Sequence, residues 1–192
     1  KPKDVSGLTF GTNGFYLDFE ASDNLGNDAN GGTDWSESNL AAVDQATDTP
    51  TNNFCTLNPL DSFFVNPVFS EGNNKVVFTN YSSVYAWISS TMYMSAGKWY
   101  WEFKWAETYA LTGIASGPAT AADMNAGSTA YSYAYYQSDG KIKNAGSNHT
   151  YGSSYSADDV IGTYLDLDNN KLYFAVNGTI QNSGTGHSIT AP

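Results

Sequence analysis

The fold of this chain is decided by residues 158–178, whose sequence is DDVIGTYLDLDNNKLYFAVNG. Two runs rich in β-branched and aromatic residues flank Asp168-Asn169-Asn170-Lys171, whose residue types favour tight turns and left-handed backbone angles. The pattern therefore predicts a β-hairpin. Apolar residues at every second position predict that one face is core, and this face carries Ile161, Thr163, Leu165, Leu167, Leu172, Phe174 and Val176. Polar residues on the opposite face favour an antiparallel sandwich over a parallel, doubly buried sheet.

The bulk composition indicates one all-β domain. The chain has 192 residues, of which 15% are aromatic and only 14% are charged, and Gly, Asn, Ser and Thr fill much of the remainder. A chain of this length can bury a core, and sandwiches of this size commonly form single domains. We expect one domain over residues 1–192, with a loop-rich lead-in at 1–70 packed on a sandwich core at 71–192.

The charge balance narrows the range of partners. All basic residues are lysines, and the formal net charge is -11. Such a surface repels phosphate backbones and anionic lipid, so we expect neither nucleic-acid binding nor membrane insertion. No stretch approaches the roughly 18 apolar residues of a membrane helix. The single Cys55 has apolar neighbours, which predicts a buried, inert thiol.

Further strands are predicted by alternation along the chain. Phe15–Phe19 alternates after the turn signal Asn13-Gly14, whereas residues 20–51 have no clean period and predict a long loop anchored by Trp35. The cleanest alternation spans Lys98–Trp105, and one face of this strand carries Trp99, Trp101, Phe103 and Trp105. A row of tryptophans can stack on sugars, but charged residues on the opposite face favour a core position for these rings. Weaker candidates are Val76–Phe78, Val84–Ile88, Leu111–Ala115, Tyr131–Tyr136 and Thr179–Gln181.

Catalytic patterns are absent from the sequence. His149 and His187 lie in Gly/Ser/Asn segments without a nucleophile motif nearby, and no phosphate-binding or dinucleotide fingerprint occurs. A glycosidase needs a pair of carboxylates, but any acidic sandwich contains such pairs, so their presence does not indicate glycosidase activity. The sequence therefore predicts a protein that is not an enzyme and has no catalytic residue.

One loop is rich in oxygen ligands. Asp23, Asp28 and Asp34 lie among Asn and Gly residues, and such a loop can hold Ca²⁺ or can simply be solvated. We keep these three carboxylates as a weak candidate metal site, and we otherwise expect no cofactor. Asp166-x-Asp168-x-Asn170 begins like a calcium loop, but Lys171 replaces the needed Gly and rejects an EF-hand.

Two motifs resemble a known family. The hairpin pattern, with Val-Ile-Gly, Asp-Leu-Asp, Leu-Tyr-Phe and Asn-Gly, is similar to the C-terminal signature of SPRY domains, and GKWYWEF at 97–103 is similar to the Gly-x-x-Tyr-Trp-Glu-Val strand of that family. The two motifs occur in the order that the family shows. The resemblance implies an antiparallel β-sandwich of the concanavalin-like jelly-roll type.

A narrower resemblance covers the N-terminal part. Residues 14–19, Asp34-Trp35, 48–54 and 57–60 are similar to the lead-in that precedes SPRY-type modules in bacteriophage tail-fibre and other virion proteins. Such proteins continue past the equivalent of Pro192 into a closing strand, so another chain could complete the sheet here. The resemblance implies a virion or extracellular location, other virion proteins as partners, and homo-oligomers.

The resemblance also places the expected binding surface. SPRY domains bind partners through loops at one edge of the sandwich, and tyrosine with Ser, Gly and Asn is the composition of adaptable binding surfaces. The candidate ligand-binding residues are Tyr131, Tyr133, Tyr135, Tyr136, His149, Tyr151, Tyr155 and Trp35, although strand tyrosines can equally be half-buried. We expect a bacterial surface glycan or protein receptor as the ligand. The alternatives are an architectural fibre or capsid-decoration subunit, or a lectin-like carbohydrate-binding module.

Overall fold

A computed structural model describes Val5 and residues 7–45, 54–63, 67–78, 86–106, 109–117 and 126–190. In these residues the regular structure is nearly all β, with short 3-10 turns at Ala42–Asp44 and Asn182–Gly184, which confirms the predicted all-β antiparallel class. The strands are β1 (Leu57–Phe63), β2 (Pro67–Ser70), β3 (Lys75–Phe78), β4 (Trp87–Ser90), β5 (Lys98–Lys104), β6 (Leu111–Ile114), β7 (Tyr133–Tyr136), β8 (Ile142–Asn144), β9 (Ser147–His149), β10 (Val160–Asp166), β11 (Lys171–Val176), β12 (Thr179–Ile180) and β13 (His187–Ser188).

The chain divides into two compact units. The first comprises residues 1–60, 66–79 and 90–92, and the second comprises residues 61–65, 80–89 and 93–192. The single domain, the lead-in at residues 1–70 and the sandwich core at residues 71–192 stay predictions. None of the helices in the described residues has the length and hydrophobicity needed to cross a bilayer.

The first unit is mostly loop. β2 and β3 form an antiparallel hairpin in the register Pro67↔Phe78 to Ser70↔Lys75. The strand predicted at Phe15–Phe19 is wrong, because the segment has no strand partner and Phe19 adopts a left-handed φ of 57°. Cys55 is exposed, so the prediction of a buried thiol is also wrong. Residues 48–53 of the virion-like motif and residues 84–85 of the predicted strand Val84–Ile88 lie outside the described part.

Two antiparallel sheets of four and five strands make up most of the regular structure in the described residues of the second unit. One has the strand order β12-β11-β10-β5, with β13 also paired to β11, and the other has the order β6-β7-β8-β9. The hairpin predicted from residues 158–178 is confirmed, since β10 pairs with β11 from Ile161↔Val176 to Asp166↔Lys171. β5 pairs with the other side of β10, from Val160↔Lys104 to Asp166↔Lys98.

The core of this unit lies between the inward faces of its two sheets. Tyr135 from β7 and Phe174 from β11 are both fully buried, and their rings stack with centroids 4.9 Å apart. Trp101 and Trp105 are partly buried and pack against this core, as predicted. Trp99 differs from the prediction, because its side chain is 43% exposed and its Nε1 donates a hydrogen bond to the carbonyl of Ala96.

The C-terminal segment of the chain covers the outer edge of β11. β12 pairs there through Ala175↔Ile180, and β13 pairs through Leu172↔His187. Between these two contacts the N–H of Phe174 donates to the hydroxyl of Tyr151, at 3.1 Å. This edge therefore has local partners, and completion of the sheet by another chain stays a prediction.

Candidate functional site

Four of the tyrosines expected to bind a ligand belong to the core. The side chains of Tyr133, Tyr135, Tyr151 and Tyr155 are 4%, 0%, 5% and 5% exposed. They cannot form the exposed surface that the sequence predicted, because their rings fill the space between the two sheets. The alternation along β7 misled the prediction, since both of its faces are covered and Ala134 is as fully buried as Tyr135.

The hydroxyls of these four tyrosines have partners inside the unit. Tyr155 donates towards the carbonyls of Ala110 and Tyr135, both at 3.3 Å, and Tyr135 donates to the carbonyl of Ser153. Tyr133 and Tyr151 accept hydrogen bonds from backbone N–H groups. Burial raises the pKa of Tyr135 to about 12 and also raises the pKa of Tyr151 and of Tyr155. All of these features belong to structural, neutral tyrosines.

The other expected residues lie in separate places. Tyr131 is 45% exposed. The ring of Tyr136 is half-buried, with the ammonium of Lys143 at 3.8 Å from its centroid. His149 is exposed at the end of β9, beside His187. Trp35 belongs to the first unit, where its exposed indole packs edge-on against Phe15 with centroids 4.9 Å apart.

The three carboxylates of the candidate calcium loop do not converge. Asp28 is buried, and its Oδ1 accepts the N–H groups of Tyr16 and Asn30. Asp34 accepts the N–H of Asp28 and the side-chain amide of Asn24, and the first of these bonds is the main cause of its lowered pKa. Among the described residues no group of three His, Cys, Asp or Glu side chains is arranged to hold a metal ion. Asp28 and Asp34 instead accept backbone N–H groups of the loop and fix its conformation.

The structure brings another set of aromatic residues together on the outward face of the five-stranded sheet. The registers place Tyr100 opposite Tyr164, and Tyr164 opposite Tyr173, so three tyrosines from β5, β10 and β11 lie in one row across the sheet. Beside them is a cavity of about 520 Å³, which we call the tyrosine groove. It is lined by Lys98, Trp99, Tyr100, Tyr164, Leu165, Asp166, Tyr173, Ile180 and Gly184.

The rings of the tyrosine groove are positioned by their neighbours. Tyr100 is 52% exposed, and its ring centroid lies 4.5 Å from that of Tyr164. Its hydroxyl donates to Glu102, which raises the pKa of Tyr100. Gly186 lies beneath the ring of Tyr173, since a Cβ at this position would lie 2.5 Å from a ring carbon. Glycine at this position therefore lets the tyrosine ring lie against the backbone.

An ion pair forms the polar part of the groove. Lys98 Nζ lies 3.2 Å from Asp166 Oδ2. The side-chain amide of Asn169, together with Lys98, lowers the pKa of Asp166, so the carboxylate stays charged at neutral pH. The lining residues combine aromatic faces, aliphatic surface and one charge of each sign, and they include neither a histidine nor a serine or cysteine nucleophile. Aromatic and aliphatic surface with a few polar groups is the usual composition of a recognition site.

All strands of these two sheets, and all residues that line the groove, lie within residues 98–190. Residues 98–190 match the family model of the SPRY domain. The match confirms the SPRY resemblance of the two sequence motifs, and SPRY domains are protein-interaction modules that are generally not enzymes. No curated protein matches the chain. The SPRY region thus corresponds to the sandwich that presents the tyrosine groove.

Sequence reasoning missed the groove, although part of its signal was present. Tyr100 alternates with the tryptophans of its strand and so lies on the opposite face, and Tyr164 and Tyr173 lie at matching distances on either side of the hairpin turn. A tyrosine on the outward face of both hairpin strands could have marked the site. Adding Tyr100 to the row required knowing that β5 pairs with β10.

Proposed function

We propose that this chain is a non-enzymatic binding module on a surface fibre of a bacteriophage virion, where its SPRY region binds a protein receptor on the host cell. The family match supports a protein partner in general. The similarity of the N-terminal motifs to the lead-in of tail-fibre proteins motivates the virion and extracellular location. The tyrosine groove is the single structural observation on which the choice of binding surface rests.

The groove has the properties of a protein-binding hot spot. Tyrosine supplies large amphipathic contact area with few rotatable bonds, and it is enriched where binding energy concentrates. Tyr100, Tyr164 and Tyr173 all lie on paired strands, so little backbone freedom is lost when a partner binds. The adjacent Lys98–Asp166 pair offers one donor and one acceptor to orient the partner.

The experiment compares two tyrosines that belong to rival surfaces. The fluorescently labelled chain is titrated onto a panel of bacterial cells, and onto purified surface proteins and polysaccharides from each strain that it binds. Tyr100→Ala removes a ring from the groove, whereas Tyr131→Ala removes a similarly exposed ring from the turn before β7. Loss of a hot-spot tyrosine costs about 2 kcal/mol, which weakens binding roughly 30-fold.

The two variants separate the possible results. We expect Tyr100→Ala to weaken saturable binding to a surface protein while Tyr131→Ala leaves it unchanged. The reverse ranking would move the binding surface to the loops, as the sequence first suggested. Binding to polysaccharide but not to protein would make the module a lectin and would contradict the proposed partner.

A second candidate is an architectural subunit that assembles with copies of itself. It is favoured by the pairing of β5, which in the described residues has a strand partner on the β10 side only. A sheet edge of this kind can be extended by a strand from another chain. Light scattering over a range of concentrations tests this candidate, since homo-oligomers are expected from it and a monomer at every concentration would rule it out.

A further inference from the structure

The two histidines of the chain lie side by side in the structure although they are far apart in sequence. His149 is on β9, an edge strand of the four-stranded sheet, and His187 is on β13, at the edge of the other sheet. Their ring centroids are 5.1 Å apart. The pair therefore joins one edge of each sheet within the second unit.

The surroundings of His187 disfavour a positive charge. The ring is half-buried and lies 5.8 Å from the ring of Tyr133 on β7. On β11, Lys171 lies opposite Ser188, and its ammonium donates to the Ser188 hydroxyl at 2.7 Å. Burial, His149 and Lys171, in that order, lower the pKa of His187. None of the ion pairs found in the described part of the chain includes either histidine.

The strand that carries His187 has few other attachments. β13 is two residues long and pairs with Lys171 and Leu172 of β11. Beyond it, the N–H of Ile189 donates to the carbonyl of Asn170 at 3.0 Å, and the N–H of Thr190 donates to the Tyr133 hydroxyl at 2.9 Å. The buried side chain of Ile189 is the main apolar contact. A segment held by so few contacts belongs to the low-stability part of a fold.

We propose that protonation of His187, whose ring lies between His149 and Lys171, releases strand β13 from the edge of the sandwich. The two imidazole rings pack against each other, with their centroids 5.1 Å apart. Protonation of His187 places its positive charge in a half-buried position beside the His149 ring and near the Lys171 ammonium. His187 regains hydration, and its repulsion from both neighbours falls, when β13 leaves the edge. Histidine is the side chain whose charge changes in this pH range.

The direction of the pH effect follows from linkage. The pKa of His187 in the docked strand lies below its ordinary value of 6.5, so the released strand binds the proton more readily than the docked one. The docked strand therefore loses stability as the pH falls below about 6.5, until the pH passes the lowered pKa of the docked state. At higher pH His187 is neutral in both states, and the stability contributed by its docked, uncharged ring is complete.

The same segment contributes to the tyrosine groove. Ile180 and Gly184 line the groove, and Gly186, next to His187, supports the ring of Tyr173. Release of β13 therefore disturbs one wall of the groove and weakens binding at acidic pH. This consequence rests on the proposed function, whereas the release of the strand does not.

Hydrogen exchange measured by NMR on the intact chain tests the release directly. Amide protection factors of Ile189 and Thr190 are compared at about pH 7.5 and about pH 5.5, two values that bracket the ordinary histidine pKa and stay above the titration of most carboxylates. We expect both factors to fall several-fold at the lower pH. The amide of Leu165 in central β10 serves as the internal reference and is expected to keep its protection.

Two variants assign the effect to the histidines. His187→Gln removes the half-buried titrating group, and His149→Gln removes its exposed partner. Protection at Ile189 should become independent of pH in the first variant and less dependent on pH in the second. If His187→Gln does not fold, the exposed His149→Gln alone decides the outcome. Equal protection at both pH values in the wild-type chain, or an undiminished pH effect in His149→Gln, would overturn the proposal, and neither readout depends on a ligand.

Discussion

The hydroxyl of Tyr151 replaces a missing strand at the edge of β11, which makes Tyr151→Phe a sharp test of the fold. β12 and β13 pair with β11 on either side of Phe174 but leave its N–H without a strand partner. Tyr151 Oη accepts this N–H at 3.1 Å, and both residues are buried. Phenylalanine keeps the ring and its contacts with Tyr135 and Phe174 and removes only the acceptor.

The cost follows from the buried donor that remains. A buried N–H left without an acceptor destabilises a protein by about 1–3 kcal/mol, since it has lost its water and gained nothing in return. The substitution creates no cavity larger than one oxygen atom, so we take about 2 kcal/mol as the whole effect. For a chain of this size that corresponds to a fall in Tm of about 4–8 °C.

Thermal melting followed by circular dichroism measures the effect, with Tyr131→Phe as the matched control. The same atom is removed there from an exposed tyrosine, and such a change stays within about 0.5 kcal/mol. Equal melting temperatures for the two variants would refute the reasoning, because the Phe174 N–H would then have another acceptor. Unchanged ligand affinity in Tyr151→Phe at a temperature where it is folded is expected from its place in the core.

Two further predictions concern the sheet and the response to acid. Gly113→Ala should prevent folding or destabilise the protein by more than about 3 kcal/mol, because its Cβ would lie 1.9 Å from the carbonyl oxygen of Tyr133 on the adjacent strand. Gly117→Ala, with open space around the new methyl group, is the control. A Tm of Gly113→Ala equal to that of this control would contradict the prediction. Hydrogen bonds from the Ser156 N–H and from Asn177 hold the pKa of Asp159 below 3.8, so their stabilising effect is present above about that pH and is lost as the pH falls further. Urea midpoints between about pH 5 and about pH 2.5 should therefore fall less in Asp159→Asn than in the wild-type chain, and parallel curves would show that this carboxylate contributes nothing.

The sequence predicted the central hairpin because the information for it is local. Alternation over residues 158–178 assigns the inward face, and the turn residues fix the register. The structure places Asn170 in the turn with a left-handed φ of 53°, a conformation that asparagine tolerates better than most residues. In such a segment, the two-residue period of apolar side chains and the residue types of the turn are sufficient to predict the hairpin.

The same reasoning failed at β7 because a tyrosine in a strand can face either the core or the solvent. The alternation places Tyr133 and Tyr135 on one face of the strand and the small residues Ser132 and Ala134 on the other. All four of these residues are buried, so both faces of the strand are covered. Tyrosine burial is decided by whether the hydroxyl finds a partner, and the partners of these rings come from segments remote in sequence.

The alternation at Phe15–Phe19 failed for a different reason. A strand exists only where a second strand accepts and donates its backbone hydrogen bonds, and sequence periodicity does not supply that partner. In the structure the N–H of Tyr16 donates to the side chain of Asp28 instead. Asp28, one of the three carboxylates interpreted as possible calcium ligands, is therefore the group that accepts this N–H in place of a neighbouring strand.

The tyrosines of this chain fall into two physically distinct classes. We expect substitutions in the first class to change the stability of the fold, and substitutions in the second class to change the groove. Tyrosines between the sheets have hydroxyls bonded to backbone groups, so removing those hydroxyls destabilises the fold. Tyr100 lies on the outward face, with its hydroxyl on another exposed side chain, so its removal leaves no buried group unpaired. Both classes depend on residues 179–190. This segment pairs with the edge of β11, donates the N–H of Thr190 to the hydroxyl of Tyr133, and contributes Ile180 and Gly184 to the lining of the groove. A perturbation that loosens this segment is therefore expected to alter the groove before it unfolds the sandwich, since the β5–β10–β11 pairing that carries the tyrosine row does not include it.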